Sequence, residues 1–87
     1  MKKILMFTMK YCPYCRNAHR WMDELLKEKP EYASIEIEII DEVKHRAIAD
    51  RYDYYYVPTY YVGGRKLHEG VPTKKIVEDV FEAALNG

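Results

Sequence analysis

The sequence predicts an α/β fold: a four-stranded mixed sheet with helices on both faces, in the order β-α-β-α-β-β-α. Three observations predict it. The short run Ile4 to Thr8 is apolar at nearly every position and bounded by lysines, as suits a central strand covered on both faces. Two longer segments repeat apolar residues every three or four positions, the period of an amphipathic helix. A Gly63-Gly64 pair separates two strand-like runs and supplies the positive φ angles of a tight hairpin.

Each element follows from its residues. From Pro13 to about Lys29, Ala18, Trp21, Met22, Leu25 and Leu26 form an apolar stripe opposite Arg16, Arg20, Asp23, Glu24 and Lys27, and Pro30 ends the helix. Pro13 fits the first helical position, where its missing N–H costs nothing, and this places Cys12 at or near the N-cap. Ser34 to Ile40 alternates apolar and charged residues, as a strand does. With the preceding helix it makes a right-handed parallel unit. A shorter helix is expected from Val43 to about Tyr52, burying Val43, Ala47 and Ile48. Tyr60 to Val62 and Arg65 to His68 form the hairpin arms, and Thr73 caps a last helix whose stripe is Ile76, Val77, Val80, Phe81, Ala84 and Leu85.

A chain of 87 residues suits one domain spanning 1–87. Fourteen basic and fourteen acidic side chains cancel, so no long-range field draws the protein to nucleic acid or to an anionic membrane. Met1-Lys2-Lys3 is basic, but the apolar run after it is too short for a signal segment, and no stretch is long enough to span a bilayer. Two cysteines do not make a disulfide-rich secreted scaffold, so a reducing, cytoplasmic setting and a monomer are expected.

Both cysteines lie in Tyr11-Cys12-Pro13-Tyr14-Cys15. As a structural staple, so small a loop would restrict the unfolded chain by only about 2 kcal/mol, against about 4.7 for a loop of 100 residues. Zinc would need two further ligands, and only His19, His45 and His68 are on offer, in no ligand spacing. The three histidines read as solvated surface residues, and no metal ligand is expected. A working dithiol has positive support. A thiol at a helix N-terminus faces unpaired N–H groups and the positive end of the macrodipole, which favour the thiolate, and Lys10 and Arg16 are near in sequence. Cys12 is then the nucleophile, and Cys15, one helical turn behind on the apolar stripe, resolves the mixed disulfide.

C-P-Y-C at a strand-to-helix junction, with Val57-Pro58-Thr59 opening a later strand and a glycine hairpin after it, resembles the glutaredoxin and thioredoxin superfamily over almost the whole chain. The resemblance implies a thioredoxin fold and a thiol–disulfide oxidoreductase that carries electrons on its own Cys12–Cys15 pair, with no bound cofactor. It also implies that Pro58 is cis beside the dithiol, that Val57 pairs its backbone with bound substrate, and that Tyr14 touches the substrate.

Within that superfamily the chain looks most like the small glutaredoxin-like thioredoxins. Its length and dithiol are similar to glutaredoxin. Tyr56, however, stands where glutaredoxins usually carry Thr, and Met9 stands where a basic residue is common, with Lys10 beside it. His68-Glu69-Gly70-Val71-Pro72 has no aspartate where glutaredoxins hold the amino group of glutathione. Met6 replaces the buried acid usual in thioredoxins. These features imply a thioredoxin-reductase-type donor and disulfide-bearing protein or small-molecule substrates, with glutathione as the alternative donor. A metal or iron–sulfur carrier shared between two chains and an inert binding module remain open as other readings. Nine tyrosines, with Tyr54-Tyr55-Tyr56 directly before Val57, allow either an aromatic rim around the dithiol or ordinary strand packing.

Overall fold

A computed structural model describes residues 1–87. The four strands are β1 (Ile4–Thr8), β2 (Ile37–Asp41), β3 (Thr59–Val62) and β4 (Arg65–Glu69). The helices are α1 (Pro13–Glu28), α2 (Arg46–Ala49) and α3 (Lys74–Asn86). The sheet order is β2-β1-β3-β4, with β1 parallel to β2 and antiparallel to β3, and β3 antiparallel to β4. This is the α/β architecture expected from the sequence.

The period-two alternation of a strand divides β1 between two packed layers. Ile4 and Met6 face α1 and α3 with Tyr60 and Val62, and all four are buried. The helices close this layer with Ala18, Met22 and Leu25 on one side and Val77, Val80, Phe81 and Ala84 on the other. Phe7 points the opposite way, into a smaller cluster with Ile40, Ala49 and Tyr61. There the Phe7 ring stacks on Tyr54 at 4.8 Å and meets Tyr61 edge-on at 5.9 Å. The hairpin turns at Gly63 and Gly64, with φ of 57° and 83°, where a side chain would be strained.

Two expectations are corrected. The chain does not enter its second strand at Ser34. Pro30–Ser34 winds as a short 3-10 turn, closed by the Ser34 hydroxyl donating to Glu31 O at 2.9 Å and the Ile35 amide to Tyr32 O at 3.1 Å. Tyr32 fixes that turn by packing edge-on against Phe81 at 5.1 Å, so β2 starts only at Ile37. Likewise the second helix shrinks to Arg46–Ala49. The Asp41 carboxylate accepts the amides of Val43 at 2.9 Å and Lys44 at 3.1 Å, an Asx-type turn that holds this stretch out of helix. Val43 is therefore 69% exposed and Ala47 is also exposed, while Ile48 is half-buried and Ala49 supplies the buried contact.

Phe81→Ala empties a fully buried ring site and is expected to cost about 3–5 kcal/mol, whereas Val43→Ala, on the exposed turn, should change stability by less than about 0.5 kcal/mol. Urea unfolding of the two variants measures the contrast, and similar losses would place Val43 in the core after all.

Candidate active site

The strand-to-helix junction after β1 builds the site. Pro13 occupies the first helical position of α1 and Cys12 is its N-cap, with extended backbone (φ −92°, ψ 116°). The Cys12 sulfur accepts the Cys15 amide at 3.4 Å, taking the role that a hydroxyl or carboxylate oxygen usually plays at a helix start. The next free amide, that of Arg16, closes the first turn on Cys12 O at 3.0 Å. Both cysteines are free thiols. Cys12 is 8% exposed, at the helix tip, and Cys15 only 1%, behind it.

Burial pushes the Cys15 thiol up to about 11, and the neighbouring Cys12 sulfur adds to the rise, while a hydrogen bond to Thr8 and one to the Met9 backbone pull the other way. The two sulfurs thus have unequal surroundings.

Across from the helix tip, the Val57–Pro58 peptide bond is cis. Cys12 Sγ lies 3.9 Å from the Val57 carbonyl. Neither the amide nor the carbonyl of Val57 enters any backbone hydrogen bond of the chain. The turn is held by its own neighbours. The Thr59 hydroxyl donates to Tyr56 O at 2.5 Å, and the Gly70 amide donates to Pro58 O at 3.0 Å. Glu69, paired opposite Thr59 in the β3–β4 ladder, accepts the Tyr55 amide at 2.5 Å and the Tyr56 amide at 3.0 Å on one carboxylate oxygen. Its other oxygen meets Lys66 Nζ at 2.8 Å. The Lys66 ammonium and the two amides hold the Glu69 carboxyl down at about 2.

The structure thus brings Cys12, Cys15, Val57 and Pro58 together. Tyr14 stands half-exposed on the first turn of α1, and Tyr11 is more exposed still. Lys10 and Arg16 line an open cavity of about 400 Å³ that reaches Cys15, and Lys10 lies over the Tyr11 ring. The tyrosine triplet divides: Tyr54 packs on Phe7 and donates to Glu42 at 2.8 Å, while Tyr55 and Tyr56 are exposed. The expectation that all three histidines are solvated needs correction. His19 is half-buried with Nε2 3.3 Å from the Thr8 hydroxyl. His68 is also half-buried, and its Nε2 lies 3.1 Å from the carbonyls of Gly70 and Val71. Only His45 is exposed. No three His, Cys, Asp or Glu side chains gather in positions to hold a metal ion. Thr8 was given no site role from the sequence, and His19 and Glu69 were given other ones; their contacts with Thr8 and with the Tyr55 and Tyr56 amides join separate elements, and only the ladder position of Glu69 could have been counted from the hairpin.

A family model described as Glutaredoxin matches residues 4–67. The chain belongs to the glutaredoxin and thioredoxin superfamily. Within it, a thioredoxin from Methanocaldococcus jannaschii is 31% identical over 83 residues, covering 95% of each chain. Among solved structures, oxidised thioredoxin from Plasmodium falciparum superposes with a TM-score of 0.72 at 16% identity, covering 94% of this chain and 79% of that one. Thioredoxin O1 from Arabidopsis thaliana gives 0.72 at 22%, covering 95% and 77%. The fold is the thioredoxin fold. Membership of this superfamily makes the chain a thiol–disulfide oxidoreductase.

Because Glu69 is held below its ordinary range, its contribution is present above pH about 4.5 and is lost as pH falls through about 2. The Tyr55 and Tyr56 amide resonances should therefore titrate together with a midpoint of about 2, and Glu69→Ala should remove the titration. A midpoint near 4.5 would mean that the carboxylate does not hold this loop.

Proposed function

We propose that this chain reduces protein and small-molecule disulfides with Cys12 as nucleophile and Cys15 as resolving thiol. The observation that carries this reading is the Cys12 sulfur at the tip of α1, 3.9 Å from a Val57 whose backbone amide and carbonyl make no backbone hydrogen bond. An extended segment of a substrate can add to that free backbone as a short strand, which brings its disulfide over Cys12. The Cys12 thiolate attacks one sulfur of the substrate, the substrate S–S bond breaks, and its other sulfur leaves as a thiolate. Cys15 then attacks Cys12, the Cys12–Cys15 bond forms, and the second substrate thiol departs. The exposed Tyr14 and Tyr56 offer flat surfaces beside this edge. Lys10 and Arg16 supply positive charge on the Cys15 side of the dithiol.

For the oxidised dithiol we infer a thioredoxin-reductase-type flavoprotein as electron donor, and a monomer working in the cytoplasm with no nucleic acid or membrane partner. Two features support that donor. The 31% identical relative is a thioredoxin. The one carboxylate in the segment His68 to Pro72, Glu69, is committed to Lys66 and two amides and is not free to meet the amino group of glutathione. The second reading, a glutathione-dependent glutaredoxin, is favoured by the family model and by the Pro13-Tyr14 pair between the cysteines.

Insulin reduction by the purified protein should proceed with NADPH and a thioredoxin reductase and stay at the background rate with glutathione and glutathione reductase. The opposite pattern assigns the chain to glutaredoxin.

Cys12→Ser should abolish turnover. Cys15→Ser should trap a mixed disulfide with substrate, visible on a non-reducing gel and released by dithiothreitol. Full turnover by Cys15→Ser would remove Cys15 from the cycle.

A further inference from the structure

The resolving step asks a buried thiol to give up its proton. This matters only if the dithiol works as proposed above, and the inference rests on that reading. Cys15 is 1% exposed, and burial raises its pKa, so its thiolate is scarce near neutral pH without help. The Met9 backbone and the Thr8 hydroxyl lie with Cys15 on the wall of one cavity. An amide can steady a thiolate once it exists, but it cannot accept a proton. The hydroxyl can pass one on.

Thr8 Oγ1 is 3.3 Å from His19 Nε2. Position 8 is the end of β1 and position 19 lies one turn beyond Cys15 on α1, so the strand-to-helix junction brings thiol, hydroxyl and imidazole to one cavity. All three line the same open cavity of about 400 Å³, which continues from His19 to solvent.

We propose that Thr8 and His19 form a proton relay for Cys15, in which Thr8 is the hydroxyl that shares the cavity wall with the sulfur and His19 is the acceptor positioned behind it. With the ring proton on Nδ1, the Thr8 O–H donates to Nε2, which leaves Thr8 Oγ1 open to accept the Cys15 proton in the resolving step. As the Cys15 sulfur attacks Cys12, its proton moves to the threonine oxygen and the threonine proton moves to Nε2. The new Cys15–Cys12 bond forms, the bond from Cys12 to the substrate sulfur breaks, and the electron pair leaves on the substrate thiolate. His19, now cationic, releases its proton to water through the cavity, and the relay is reset.

Other titratable groups are placed less well for this task. On the cavity wall, Lys10, Arg16 and Lys44 are cations, and His45 is exposed at the mouth. Asp41 is the one carboxylate there, and its Oδ1 is occupied by the Val43 and Lys44 amides. From β3 the buried Tyr60 phenol faces Cys15, but burial pushes its pKa far up and its hydroxyl donates to Met22 Sδ at 3.4 Å. An imidazole nitrogen can both accept a proton and release it to water, which suits a relay end point.

Rapid mixing of the reduced full-length protein with one equivalent of 5,5′-dithiobis(2-nitrobenzoate) separates the two steps, because thionitrobenzoate leaves once on attack by Cys12 and again on resolution by Cys15. His19→Gln and Thr8→Val should each keep the first release and slow the second on the order of 100-fold at pH 7, within the range general bases contribute. Thr8→Ser should restore it. In His19→Gln the second release should climb about tenfold per pH unit, following thiolate population, and more steeply than in the intact protein. A second release in His19→Gln within about twofold of the intact protein overturns the relay. So does slowing in Thr8→Val without slowing in His19→Gln. Absence of the first release from the intact protein would overturn the dithiol reading itself, a result distinct from either of these.

Discussion

The cap of α1 is a sulfur. Helix N-termini leave amides without intrahelical partners, and a side-chain acceptor usually satisfies one of them. Here Pro13 has no N–H to satisfy, Arg16 closes on Cys12 O, and the Cys15 amide goes to Cys12 Sγ at 3.4 Å. The same contact therefore starts the helix, fixes the direction of the reactive sulfur and sets the distance to its partner. Everything nearby is arranged around that point. β1 delivers the chain to it, the cis turn at Pro58 faces it, and the layer between the sheet and α1 buries the sulfur one turn behind. A dithiol on a loop would have no such fixed inequality between its members. On this helix one sulfur keeps 8% exposure at the tip because the helix begins there, and the other falls to 1% because the apolar stripe has begun.

The turn opposite the sulfur needs its own support, since the Val57 amide and carbonyl make no backbone hydrogen bond that would hold their direction. Thr59, Gly70 and Glu69 supply that support from three sides. The carboxylate of Glu69 serves two consecutive amides and an ammonium at once, so the β3–β4 ladder is joined to the tyrosine loop by charge-assisted bonds. This arrangement commits the one acid of the segment His68 to Pro72 to holding the loop.

Much of the architecture was legible in the sequence because the signals are local. The apolar run of β1, the three-and-four spacing of α1 and α3, the glycine pair and the Thr73 cap each lie within a few residues of one another. The dithiol was legible for the same reason: Pro13 fixes the register of the helix, and the register fixes both cysteines. The misreadings came where a side chain overrode periodicity. Asp41 captures two amides and stops the second helix from starting at Val43, although the spacing of Val43, Ala47 and Ile48 is helical. Tyr32 anchors a tight turn through Phe81, 49 positions away, and so delays β2. His19 looked solvated because it follows Cys15 by one turn on the polar side of the helix. Its partner, Thr8, belongs to another element.

The sheet has two open margins, β2 and β4. A protein that offers free backbone to its partners must keep those margins from recruiting copies of itself. On β2, Glu38 stands among the isoleucines and is bridged to Lys3, with Glu36 just ahead of the strand drawn to the same ammonium. On β4, Arg65, Lys66, His68 and Glu69 leave Leu67 as the only apolar residue, and the strand pairing shifts register between Tyr60 and Tyr61. Buried or repelled charge makes cross-chain strand addition unfavourable at both rims. The backbone at Val57, which makes no backbone hydrogen bond, carries no such charged guard, so the chain leaves a short stretch open while its two rims are protected.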